Sequence, residues 1–146
     1  MFIDELLSSG AIPSLETTLR FAGARQKLIN HNIANLETPN FRPADVSTDA
    51  FQRALDKAIQ KRRAENGGMF GALDLEDTRE VQTEASGDLT LIPRTGSGNI
   101  LFHDRNNTDE IRLMQANAEN ASVYRVTTEL LRGRYQQIKD AIAERA

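Results

Sequence analysis

Two histidines are the first residues to test for chemistry. His31 lies in a helix-forming run beside three asparagines, and His103 follows Leu101-Phe102 in a stretch between predicted elements. Neither has carboxylates at a spacing that completes a metal site, so each reads as solvated or packed. The chain has no cysteine, which removes disulfides, thiolate nucleophiles and thiolate metal sites. Gly96-Ser97-Gly98 lacks the following Lys-Ser/Thr of a phosphate loop and the strand-to-helix setting of a dinucleotide site. Lys57, Lys61, Arg62 and Arg63 form a basic cluster that reads as the solvated C-terminal end of a helix rather than a partner patch. With 18 basic and 21 acidic residues the net charge is −3, which argues against a nucleic-acid partner. The expectation is therefore no enzyme, with no catalytic, cofactor-binding or metal site.

The polar residues that carry information are asparagines. Asn30-His31-Asn32-Ile33-Ala34-Asn35-Leu36-Glu37-Thr38-Pro39 places three asparagines in six residues just ahead of a proline. Asparagine is a modest helix former, but its side chain bonds nearby backbone groups and it tolerates the left-handed region. The run predicts a helix end with extra polar contacts.

That run ends one of two long predicted helices. The first is expected over 12–36, starting at Pro13 with Ser14 as its candidate cap. Its apolar positions Ile12, Leu15, Leu19, Ala22, Ile29 and Ile33 leave one slot, filled by Gln26. From Leu15 the steps alternate four and three, the seam of a coiled coil. Pro39 sets the limit, because proline lacks the N–H and disfavours helix at the residue before it. The second long helix is expected over 107–144, where Asn107 and Glu110 resemble a capping box and Asp109 and Glu110 suit the positive end of the helix dipole. Ala121, Tyr124, Thr128, Leu131, Tyr135, Ile138 and Ile142 step by three and four, and Ile111, Met114 and Ala118 extend the apolar side backwards.

Between these helices, 37–106 reads as a central variable segment. Asp49 followed by Gln52 predicts the start of a shorter helix presenting Phe51, Leu55, Ala58 and Ile59. Glycines then accumulate, and Arg79–Glu84 with Asp88–Ile92 form a candidate hairpin around Ala85-Ser86-Gly87. The fold class is thus mainly α, in a single domain over 1–146. Only 5% of residues are aromatic, so burial is expected along helix seams, partly against other chains. Asp4 and Glu5 stand where a secretory leader has basic residues, and no apolar run reaches the ~18 residues of a membrane span. Hence the expectation is a cytosolic chain or one exported without a cleaved leader.

The segment Asn32-Ile-Ala-Asn-Leu-Glu-Thr-Pro39-Asn-Phe-Arg resembles the Asn-x-Ala-Asn-x-x-Thr-Pro-Gly-Tyr-Lys signature of the flagellar rod and hook proteins. Asn32, Ala34, Asn35, Thr38 and Pro39 match outright. Asn40 replaces the usual glycine while still permitting positive φ, and Phe41 and Arg42 stand in for Tyr and Lys. Pro43 departs from the pattern, whereas Asp45 falls where such sequences often have Asp. A second block, Asn106-Asn107-Thr108-Asp109-Glu110 through Ala118-Glu119-Asn120-Ala121 to Tyr124, is similar to the short proximal rod members of that family.

The resemblance implies a scaffold in which N- and C-terminal helices pair as an antiparallel coiled coil in the tubular rod of the bacterial flagellum. It implies passage through the flagellar type III apparatus to a periplasmic rod, and contacts with further copies, with other rod proteins, with FliE and with the MS-ring protein FliF. It implies no nucleic acid and no membrane insertion. On the residues alone, a soluble coiled-coil adaptor or export chaperone binding a partner helix remains open. An amphipathic helix with a narrow seam buries little by itself and gains stability from neighbours.

Overall fold

A computed structural model describes residues 9–84, 86–95 and 105–143, apart from the side chains of 105–109. Its organising element is helix α1, Ile12–Ala34, which buries two faces at once. One face carries the seam of Ala22 and Ile29. The other carries Phe21, Arg25 and Asn32, again spaced by three or four residues once half-buried Leu28 is included. The first face meets the C-terminal helix and the second meets the middle of the chain.

The middle opens with a two-residue strand β1, Ala44–Asp45, followed by helix α2, Thr48–Asn66. Strands β2, Val81–Thr83, and β3, Leu89–Leu91, pair antiparallel as the expected hairpin, with Val81 opposite Leu91 and Thr83 opposite Leu89. The Gly87 N–H donates to the Glu84 carbonyl at φ +82°, and Arg20 of α1 reaches the Gly87 carbonyl. The positive φ favours glycine here, and a Cβ, 2.8 Å from the Arg20 guanidinium, would also displace that side chain. Strand β4, Arg94–Thr95, returns antiparallel to β1.

The core lies between α1, α2 and the hairpin. Phe21, Val46, Phe51, Ala54, Ala58, Leu75 and Val81 form one buried cluster, flanked by half-buried Leu28, Leu55, Leu73, Leu89 and Leu91. Phe21 and Phe51 stack with ring centroids 3.8 Å apart and planes within 3°. Of the face expected on α2, Phe51 and Ala58 are buried while Leu55 and Ile59 are half-buried.

Helix α3, Arg105–Ala143, runs antiparallel to α1 and packs on it. At 1.5 Å per residue its 39 residues extend about 58 Å, against about 35 Å for the 23 residues of α1. The fold is mainly helical, with paired long terminal helices and small strands. Among the described residues no helix is long and apolar enough to cross a membrane.

Several local expectations need correction. Helix α1 begins at Ile12 with Ala11 as N-cap, and no side chain caps it. Ser14 lies inside the first turn, where its hydroxyl donates to the Ala11 carbonyl at 2.8 Å instead of accepting from an N–H. The helix ends at Ala34, two residues earlier than 36, with Asn35 as its C-cap. On α2 the cap is Ser47, whose hydroxyl accepts from the Ala50 N–H, so Asp49 falls within the first turn. Arg62 is not a solvated helix end: it is buried, donating to the Gly10 carbonyl at 2.7 Å and the Phe70 carbonyl at 3.3 Å. Its guanidinium thereby ties the entry of α1 to the exit of α2. Helix α3 starts at Arg105, which puts Asn107 inside the helix rather than at its cap.

Candidate functional site

The asparagine-rich end of α1 folds the chain back on itself. Asn32 is 1% exposed, and its side chain makes both bonds a neighbouring strand would make to Ala44. Its Nδ2 donates to the Ala44 carbonyl at 2.7 Å, and its Oδ1 accepts from the Ala44 N–H at 3.2 Å. Arg25, two turns earlier on the same face, forms a bidentate pair with Asp45, Nε–Oδ1 at 3.0 Å and Nη2–Oδ2 at 2.6 Å. Asp45 Oδ1 also accepts from the Val46 N–H. Strand β1 is therefore bonded to α1 on one side and to β4 on the other. Planar, forked Arg suits this geometry as Lys would not.

The turn between α1 and β1 uses the rest of the motif. Asn35 Nδ2 donates to the His31 carbonyl, the Thr38 N–H to the Asn35 carbonyl and the Phe41 N–H to the Thr38 carbonyl. Asn40 holds φ at +61°, the left-handed value that the family glycine would supply without strain. Thr38 and Pro39 are exposed, Ala34 is the last helical residue, and His31 sits edge-on to Phe41 with centroids 5.8 Å apart. His31 is thus an exposed residue resting edge-on against Phe41. His103 and the Gly96-Ser97-Gly98 stretch lie outside the described residues.

Along the α1·α3 seam, Ala22 and Ile29 are buried while Leu15, Leu19 and Ile33 are half-buried. On α3 Ala121, Thr128, Leu131, Tyr135 and Ile138 are half-buried. Tyr124 and Ile142 are more exposed, although the Tyr124 ring comes within 3.9 Å of where a side chain on Gly23 would begin. Polar groups cross the seam at two levels. Asn120, buried, donates to the Ala22 carbonyl at 2.9 Å and to Gln26 Oε1 at 2.8 Å. Gln26 Nε2 donates in turn to Asn117 Oδ1 at 2.7 Å and to Asn30 Oδ1 at 3.0 Å. Further along, the Tyr135 hydroxyl donates to Glu16 at 2.6 Å. That hydrogen bond, with burial second, pushes the Tyr135 phenol up to about 12.

Within the second motif block Asn120 is buried, while Ala118 and Glu119 are exposed. Ala118 accepts from Ser122 and Glu119 from Gln115 within the helix. The side chains of Asn107 and Asp109 lie outside the described residues. Sequence reading missed Arg25 and the seam contact of Asn117, and took buried Arg62 for part of a solvated helix end. For Arg25 a signal existed, since Phe21, Arg25, Leu28 and Asn32 repeat the four-three-four step of a second buried face.

The geometry positions backbone against helix and helix against helix; it gathers no reacting groups among the described residues. Its outer surface is uneven, for most of the exposed large apolar side chains lie on α3. They include Ile111, Met114, Val123, Val126 and Leu130. No protein-family model matches the chain. The flagellar basal body rod protein FlgB of Bacillus subtilis (strain 168) is 32% identical over 137 residues, covering 93% of this chain and 95% of that protein. The protein of that name from Yersinia ruckeri is 26% identical over 140 residues, 92% of this chain and 95% of its own length. Its counterpart from Yersinia enterocolitica is 30% identical over 107 residues, 68% of this chain and 74% of its own.

Proposed function

The chain belongs to the FlgB family of flagellar basal body rod proteins, and from that premise we propose how its helices serve the rod. It is a structural subunit of the flagellar rod, at the basal body. The antiparallel pair α1·α3 acts as one assembly unit, and the whole chain, 1–146, works as a single rod-protein domain. Its neighbours in the proximal drive shaft are further copies, other rod proteins, FliE and the MS-ring protein FliF. The chain reaches the periplasmic rod through the flagellar export apparatus.

One observation carries the surface assignment. Val123, Val126 and Leu130 are 46%, 59% and 54% exposed and fall on one side of α3, three and four residues apart. A stripe of this kind on an isolated chain leaves apolar area in water that contact with another helix removes. Asn32, Arg25 and Asn120 serve a different purpose, fixing the unit that presents the stripe.

Deletion of the gene should abolish filament assembly and motility; normal swimming in the deletion strain would contradict the rod assignment. The double variant V126E/L130E should restore a folded, helical chain but not motility. Full motility with that variant would contradict the surface assignment alone.

A further inference from the structure

We propose that Gln26, with Asn117 and Asn120, sets the register in which α1 and α3 pair, a role independent of the rod reading. Substantial packing of α3 among the described residues falls on α1 alone. The choice between alignments one heptad apart therefore rests on this seam. Most of the seam is aliphatic or aromatic with alternating steps of three and four, a pattern that repeats itself after seven residues. Apolar contacts of this sort reward several alignments by similar amounts.

The amide layer does not. Asn120 is 3% exposed and donates to Ala22 O and Gln26 Oε1; a helical backbone carbonyl recurs one heptad away, whereas the Gln26 side-chain acceptor does not. The Ala22 carbonyl is already in an α-helix, so it offers Asn120 a second lone pair rather than a lost helical bond. Gln26 is held for the purpose by Asn30 one turn on, and its Nε2 also engages Asn117. Sliding α3 by seven residues carries Asn120 opposite either Leu15 and Leu19 or Ile29 and Ile33, none of which has a side-chain acceptor. A buried amide that loses its side-chain partner in this way disfavours the slipped alignment by roughly tenfold. No buried side-chain nitrogen or oxygen among the described residues lacks a partner in the observed alignment.

The cysteine-free chain allows a direct test. Spin labels at K27C and Q136C, both exposed positions, report the axial offset of the two helices by pulsed electron resonance in the full-length chain, diluted with unlabelled protein. The parent should give one distance. Replacing the layer in Q26L/N120L should add a second population, displaced by about 10 Å in axial offset, the length of one heptad. A single unchanged distance in Q26L/N120L would overturn the proposal, as would several distances in the parent. Circular dichroism on the same samples separates slippage from unfolding. Loss of helicity in Q26L/N120L would also overturn it, since the layer would then hold the helices together rather than choose their alignment.

Discussion

Asn32→Ala removes one amide and disconnects the corner of the fold. The side chain makes two hydrogen bonds to Ala44, at 2.7 and 3.2 Å, in a site 1% exposed. Each bond contributes about 1 kcal/mol net, and the Ala44 groups left behind lose partners that water only partly replaces. The expected loss is about 2–4 kcal/mol. With a urea slope of about 2 kcal/mol per molar, the unfolding midpoint should fall by roughly 1–2 M. The assay is equilibrium urea unfolding followed by circular dichroism, with amide exchange at Ala44 as the local readout. Asn32→Asp is the informative companion, because a carboxylate accepts from the Ala44 N–H but cannot donate to its carbonyl. It should lose at least as much stability, since it also buries a charge. A loss below about 0.5 kcal/mol for Asn32→Ala, the range of ordinary surface changes, would refute the reasoning.

Three further outcomes follow from neighbouring contacts. Asp45→Ala should destabilise more than Arg25→Met, because the Arg25 side chain is 10% exposed against 40% for Asp45, and a buried guanidinium without its partner is the costlier remnant; urea midpoints in the reverse order would contradict this. Asn40→Ala, at φ +61°, should cost about 1 kcal/mol in thermal or urea unfolding while Asn40→Gly is tolerated, and equal effects would argue against a conformational cause. Tyr135 has its phenol raised from 10.0 to about 12, so its contribution to stability is fully present below pH 10 and lost as pH rises toward 12. The phenolate absorbance missing from Tyr135→Phe should be centred near that higher value, and a centre at 10 would remove the Glu16 bond from the account.

Much of the architecture is legible in the sequence because two helices repeat a clear three-four step and a proline marks where the first must stop. The hairpin is legible from its glycine turn and alternating flanks. Helix starts are less so. Ser14 and Asp49 are good cap residues by type, yet Ser47, two places earlier, satisfies the same pattern on α2, and on α1 the N-cap is Ala11, with no side-chain cap at all. Arg62 and Arg25 illustrate a second limit. Charge predicts exposure, and only the fold reveals that carbonyls at Gly10 and Phe70, or the carboxylate of Asp45, await them. The Asn-rich exit announces extra hydrogen bonding, but the recipient, Ala44, lies 12 residues on across a turn. The partner of Asn120 is farther still, and nothing local in either helix names the other's register.

A map of the assembled rod tests the central claim most directly. It should show α1 and α3 of one subunit paired antiparallel, with Asn120 against Ala22 and Gln26, and the Val123, Val126 and Leu130 stripe covered by neighbouring subunits. Finding the two ends of each chain paired with different subunits, or that stripe facing solvent throughout the rod, would contradict it.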